Sequence, residues 1–115
     1  MNAFPIPDVL AEGEWIVSLD EGSKTTFLVT LARELTIAGR ASYVPQSEAL
    51  LHPRWLREVN EVQHRVLACL SEIQCGTENV SFQRSIAEWV LSQQDRALAE
   101  HMAYAWVRAK GRVLQ

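Results

Sequence analysis

Two residues of this 115-residue chain have the spacing of a carboxylate-bridged metal site. Glu61 and His64 form a Glu-x-x-His pair, which di-metal helical bundles use twice, together with two further inward-facing carboxylates. The chain has no second copy, because Glu100 and His101 are adjacent. The helical pattern also turns Glu61 and His64 away from the predicted core. We therefore predict no metal and no other cofactor, and interpret the pair as a solvated helix surface or a partner contact.

Two polar stripes could do other chemistry. Arg57, Asn60 and His64 recur at i, i+3 and i+7, so they share one side of a helix. Such a stripe can cap a neighbouring loop, recognise a partner or, least commonly, support catalysis. The second stripe contains His101, Tyr104 and Arg108. An imidazole near a phenol could transfer protons, although such stripes are more often ordinary helix surface.

The cysteines indicate neither a nucleophile nor a disulfide framework. Cys69 falls among apolar helix positions and Cys75 follows the end of the same helix. A reactive thiol needs an exposed, electropositive setting, so we predict that Cys69 is buried and that the protein is cytosolic. The sequence has no phosphate-binding glycine loop, no G-x-S-x-G motif and no zinc-spaced Cys/His set. We predict no catalytic residue; an enzyme remains the less favoured class.

The longest helical pattern runs over residues 54–74 and organises the predicted fold. Pro53 suits a first helical turn and Gly76 suits a left-handed residue after the last. At 100° per residue, one wide apolar side forms and the opposite side is polar. The apolar side comprises Trp55, Val59, Val62, Val66, Cys69, Leu70 and Ile73, widened by Leu56 and Leu67.

Residues 24–38 form the second predicted helix, with Asp20 or Ser23 as its N-cap and Gly39 after its end. Its core side comprises Phe27, Leu28, Leu31, Leu35 and Ala38. The alternative is a β-hairpin of residues 15–19 and 25–31, because Thr, Val and Phe favour strands. The apolar side continues through Leu35 and Ala38, which favours the helix.

This second helix is apolar on two sides. Val29, Arg33 and Ile37 recur at i, i+4 and i+8, opposite the core side. A peripheral helix normally buries one side and solvates the other. We therefore predict that the line is either an interface with another chain or a surface covered by the N-terminal arm through Phe4, Ile6, Trp15 or Ile16.

The remaining pattern completes an all-α prediction. Further helices are predicted over 81–93, capped by Ser81 or Asn79, and over 95–110, ended by Gly111. Residues 1–13 are predicted as an acidic, partly extended arm, for which a short turn of helix at Asp8–Glu12 is the alternative, and 40–52 are predicted as a linker. We predict one domain over 1–115, a compact bundle of about four helices; the alternative is an α+β fold with the N-terminal hairpin.

Composition bounds the function without naming it. Hydrophobic residues make up 48% and charged residues 22% of the chain, as in ordinary globular proteins. Net charge is −3, with an excess of acids in residues 1–52, which disfavours a helix-turn-helix nucleic-acid binder. No apolar run is long enough to span a membrane, and no signal peptide is expected.

The leading hypothesis is a small, bacterial-type protein-interaction module, an adaptor or neutralising protein that binds a protein partner, a second copy or both. The alternative is a helical enzyme or ligand-binding bundle that uses a His/Tyr/Arg stripe.

Overall fold

The computed structural model describes residues 5–40 and 53–114, with backbone alone at 38–40 and 53–54. Over these ranges the chain is all-α and contains no strand. Five helices follow one another: α1 (Val9–Ser18), α2 (Glu21–Arg40), α3 (Pro53–Gln74), α4 (Val80–Leu91) and α5 (Arg96–Val113). The linker prediction for 41–52 and the Phe4 contact lie outside the described residues.

The structure corrects two sequence predictions at the N-terminus. Residues 9–13 of the predicted arm belong to α1, which extends well beyond the single turn of helix considered there, so the bundle has five helices among its described residues instead of about four. The hairpin alternative fails because residues 15–18 and 25–31 are helical. The extended-arm prediction relied on Pro5, Pro7 and Gly13. Gly13 nevertheless lies inside α1, where an added Cβ would come within 3.4 Å of the backbone oxygen of Arg84 on α4.

Short polar side chains cap the N-termini of three helices, α2, α4 and α5. The Asp20 carboxylate accepts a hydrogen bond from the Ser23 N–H at 2.7 Å before α2, and this bond lowers the pKa of Asp20. Asn79 accepts from the Phe82 N–H before α4. Asp95 accepts from two N–H groups in the first turn of α5. Each cap satisfies donors that the helix itself leaves without an acceptor.

Glycine ends α3 but neither α2 nor α5. Gly76 has a φ of 77°, its N–H donates to the Ile73 oxygen, and the Thr77 N–H donates to the Glu72 oxygen, which is a Schellman motif. Gly39 and Gly111 were also expected just past helix ends from the sequence pattern. Both lie inside helices, because α2 continues to Arg40 and α5 to Val113.

The core forms around α2, which packs against α3 on one side and α5 on the other, while α1 packs against α4. Three aromatic rings connect these layers edge to face: Trp15 lies 5.0 Å from Phe27, and Phe27 lies 4.8 Å from Trp106. The largest completely buried apolar side chains come from all five helices: Ile16, Phe27, Leu28, Leu31, Leu35, Val62, Val66, Ile86, Val90, Met102 and Trp106.

A buried carboxylate attaches α1 to α5. Glu12 is 7% exposed and accepts hydrogen bonds from the Trp106 indole N–H at 2.8 Å and from the Lys110 ammonium at 2.7 Å. The same ammonium lies 4.6 Å from the centre of the Trp15 ring. Charge compensation and hydrogen bonding together make the burial of Glu12 tolerable.

The Val62→Asp variant tests the core. Val62 is completely buried at the middle of α3, so a carboxylate there would have no compensating partner and should cost about 4 kcal/mol of unfolding free energy or prevent folding. Asn60→Asp adds the same carboxylate to the exposed side of the same helix and is the matched control. Denaturant unfolding with equal midpoints for both variants would contradict this placement of α3.

A second pair of variants tests the attachment of α1. Glu12→Ala leaves the Lys110 ammonium and the Trp106 indole N–H without their acceptor and should cost about 3 kcal/mol of unfolding free energy. Glu14→Ala is the control, because Glu14 also joins α1 to another helix but pairs with Arg84 at the exposed surface, where ion pairs contribute little. Equal midpoints in urea for the two variants would show that the Glu12 contacts add no more than a surface pair.

Candidate interaction face

The α2–α3 pair carries most of the residues that the sequence singled out. Gln63 on α3 donates from its amide to the Ala32 oxygen at 2.8 Å and to the Thr36 hydroxyl, both on α2. Lys24, in the first turn of α2, lies close enough to Cys69 in the C-terminal half of α3 to affect its pKa. Since Gln63 precedes Cys69 on α3 while Thr36 follows Lys24 on α2, the two helices run antiparallel.

The sequence-predicted interface and the first polar stripe flank this seam from opposite sides. On α2, Val29 and Arg33 lie within about 60° of Thr36, on its solvent side. On α3, Leu56, Asn60 and Leu67 lie within about 60° of Gln63, also on its solvent side. We name the surface the α2–α3 face and define it as Val29, Arg33, Ile37, Leu56, Arg57, Asn60, His64 and Leu67.

The α2–α3 face is more apolar than the sequence analysis expected. Leu56 and Leu67 were assigned to the edge of the core, but they are 39% and 45% exposed. Ile37 is 45% exposed and Val29 is half-buried. The periodicity of α3 placed both leucines near the core boundary, and only the packing of the helices decided on which side of that boundary they lie.

The cations of this face differ from most others in the described chain. Five cations form ion pairs with a carboxylate, namely Lys24, Arg84, Arg96, Arg108 and Lys110, and Arg65 stacks 3.6 Å above the Trp89 ring. Over the ranges that the structure covers, Arg33 and Arg57 have neither an ion pair nor an aromatic partner, and both are exposed. Arg112, at the end of α5, shares this property but lies far from the face in sequence.

The two histidines of the polar stripes lie in different environments. His64 is exposed on α3 beside Glu61, and the described part of the chain holds no group of three His, Cys, Asp or Glu side chains that could bind a metal. The expectation of a surface strip at His101, Tyr104 and Arg108 is wrong for His101, which is 4% exposed and lies 5.7 Å from the Trp55 ring. Arg108 instead pairs with Glu34 on α2.

Burial governs the protonation of His101 and Cys69. Burial lowers the pKa of His101 below 6.5, and the Glu100 carboxylate partly opposes this shift. Burial raises the pKa of the Cys69 thiol to about 11, with a further increase from Glu72 and a decrease from Lys24. A protonated, buried thiol is a poor nucleophile. Cys75 is an exposed free cysteine beyond the end of α3.

A cleft at the junction of α3 with the α4–α5 connection was missed by the sequence analysis. Its volume is about 460 Å³, and it is lined by Trp55, Glu58, Ser92, Gln93, Gln94, Asp95 and Leu98. The Trp55 indole N–H donates to Asp95 at 3.0 Å, which joins the start of α3 to the cap of α5. Residues 40 positions apart in sequence meet here, so no local spacing could have indicated the cleft. Neither His64 nor His101 lines it.

Comparison of the chain with protein-family models, with curated proteins and with solved structures gave no match. None of the described helices is long and apolar enough to cross a membrane.

The environment of His101 predicts a pH dependence of stability. Well above pH 6.5 the imidazole is neutral in both the folded and the unfolded chain. As the pH falls below 6.5 towards the lower pKa of the folded state, the unfolded chain takes up a proton first, so the unfolding free energy decreases. His101→Gln removes this contribution. The unfolding free energy of this variant should therefore decline less than that of wild type between about pH 7.5 and about pH 5, the range in which histidine side chains change charge. Parallel profiles from urea unfolding would contradict this.

Proposed function

We propose that this protein is a protein-interaction module and that it binds its partner through the α2–α3 face. The observation that carries the proposal is the clustering of exposed apolar side chains on one helix pair. Six large apolar side chains in the described chain are clearly exposed, and three of them, Ile37, Leu56 and Leu67, belong to this face. Grouped apolar side chains at a surface often mark an interface, whereas single ones need no explanation.

The surroundings of these side chains also support an interface. Contacts in the core hold both helices from behind, and Gln63 joins them across the seam. The face is therefore presented by a rigid pair of helices instead of a loop. A preorganised surface loses little conformational entropy on binding, and the polar residues Asn60, His64 and Arg57 along its edge resemble the polar rim of known interfaces.

We also propose a cytoplasmic location. The support is that Cys69 and Cys75 are both free thiols, as is usual in a reducing compartment. The alternative function, a helical enzyme or ligand-binding bundle using a histidine stripe, has less support. His64 lies on an exposed helix surface and His101 lies behind Trp55, so the described residues do not gather the two stripes around one cavity.

The Ile37→Glu/Leu67→Glu double variant tests the proposal. Both side chains are about half exposed, so the variant should keep its helical content and melt within a few degrees of wild type. It should lose a protein partner that wild type captures from its native host, or lose self-association in sedimentation if the partner is a second copy. Leu10→Glu is the control, because Leu10 is 79% exposed on α1, outside the face.

Retention of the same partner and the same mass by the double variant, with the fold intact, would exclude the α2–α3 face as the interface. A large loss of stability would instead mean that Ile37 and Leu67 are covered by another part of the same chain.

A further inference from the structure

We propose that the partner presents an amphipathic helix whose apolar side is flanked by acidic residues, and that Arg33 and Arg57 select it. This inference rests on the proposed function, since it names the partner chemistry of the same face. The first support is that Arg33 and Arg57 differ from most other described cations in their charge pairing. Six other described cations have a carboxylate or an aromatic ring as partner, whereas the two arginines on this face have none within the described chain.

The pairing pattern identifies charges that are available to a partner. Arg57 has Glu61 four residues away on the same helix, a spacing at which ion pairs commonly form, yet the structure has no such pair among its described contacts. Both guanidinium groups are exposed. Each of them can therefore bind an incoming carboxylate with two parallel hydrogen bonds without first losing a partner among the described residues.

The apolar residues set the shape of the partner. Leu56 and Leu67 are eleven positions apart on α3, which corresponds to about 16 Å along the helix axis. Val29 and Ile37 extend over about 12 Å on the antiparallel neighbour. The apolar surface is thus an elongated strip along one seam, matching about three turns of a partner helix with contacts at i, i+3, i+4 and i+7. Arg33 lies between Val29 and Ile37 on the α2 side of this strip, and Arg57 lies on the α3 side.

Charge complementarity favours such a helix over a second copy of the chain. A two-fold dimer through this face would bring the same surface patch of two copies together, so that Arg33 and Arg57 of one copy would share the interface with Arg33 and Arg57 of the other. Like charges brought together across an interface oppose binding. Acidic residues on either side of a helical apolar stripe would instead pair with Arg33 and Arg57 simultaneously.

Two synthetic helical peptides test the inference directly. Both carry the same leucine stripe, but one has glutamate and the other lysine at every flanking position. Fluorescence anisotropy with the intact protein should give a dissociation constant at least about tenfold lower for the glutamate peptide, as expected for a close charge pair across an interface. Added NaCl should weaken this preference because it screens exposed charges.

Charge reversal gives the decisive comparison. Arg33→Glu/Arg57→Glu should reverse the preference, so that the lysine peptide binds more tightly. Arg112→Glu is the matched control, because it makes the same charge change at an exposed arginine without an ion-pair partner on α5, and it should keep the wild-type preference. Circular dichroism of each variant establishes that the fold is retained.

The outcomes separate this inference from the proposed function. Equal binding of both peptides by wild type, with loss of both in Ile37→Glu/Leu67→Glu, would retain the α2–α3 face as an interface and overturn the acidic partner. Failure of the glutamate peptide to bind at concentrations up to about 1 mM overturns the inference, while the partner capture described for the double variant still decides the function. Sedimentation of wild type as a dimer that Leu67→Glu dissociates would identify a second copy as the occupant and also overturn it.

Discussion

The structure depends on the buried carboxylate of Glu12, which would lose its hydration without compensation if it had no charged or hydrogen-bonding partner. Glu12 lies in the interior between α1 and α5, where it accepts a hydrogen bond from Trp106 and pairs with Lys110. Because removing one member would leave the others uncompensated in a medium of low polarity, the three side chains fix the position of α1 with little freedom. The Lys110 ammonium also lies against Trp15, which in turn contacts Phe27 on α2. One polar contact therefore orients the aromatic chain through the middle of the bundle.

The central position of α2 follows from this arrangement and explains its amphipathic pattern. Phe27, Leu28, Leu31 and Leu35 are completely buried between α3 and α5, and the Glu34–Arg108 pair closes the α5 side. What remains of α2 is a narrow outer side that continues across Gln63 onto α3. The face that we propose as the interface is thus a consequence of how the core is filled, since each core contact also fixes the residues that lie outside it.

The α2–α3 face differs from the rest of the described surface in its charge pairing. Elsewhere in the described chain, carboxylates neutralise most of the cations, and exposed pairs of that kind contribute little stability. Their absence at Arg33 and Arg57 thus has little consequence for folding, but it leaves two positive groups beside an apolar strip. Desolvated charge pairs next to a hydrophobic centre are the arrangement by which interfaces obtain selectivity.

The sequence by itself determined the helical class, the inward side of each long helix and several helix ends. Periodicity identified Val59, Val62, Val66 and Ile73 as core residues, because burial of one helix side is a local property of the pattern. Asn79 and Gly76 were recognisable because capping depends on a few adjacent residues.

Only the tertiary structure decided contacts between residues distant in sequence. The sequence pattern assigned Glu12 to an acidic arm, because its hydrogen-bonding partners lie more than ninety positions away in sequence. It assigned His101 to the helix surface, because the pattern of α5 alone does not show that Trp55 of α3 lies against this imidazole. The composition of the α2–α3 face was equally inaccessible. The patterns of α2 and α3 each showed which residues face outward, but the pairing of the two helices through Gln63, which puts their outward residues on one helix pair, depends on packing across the whole core.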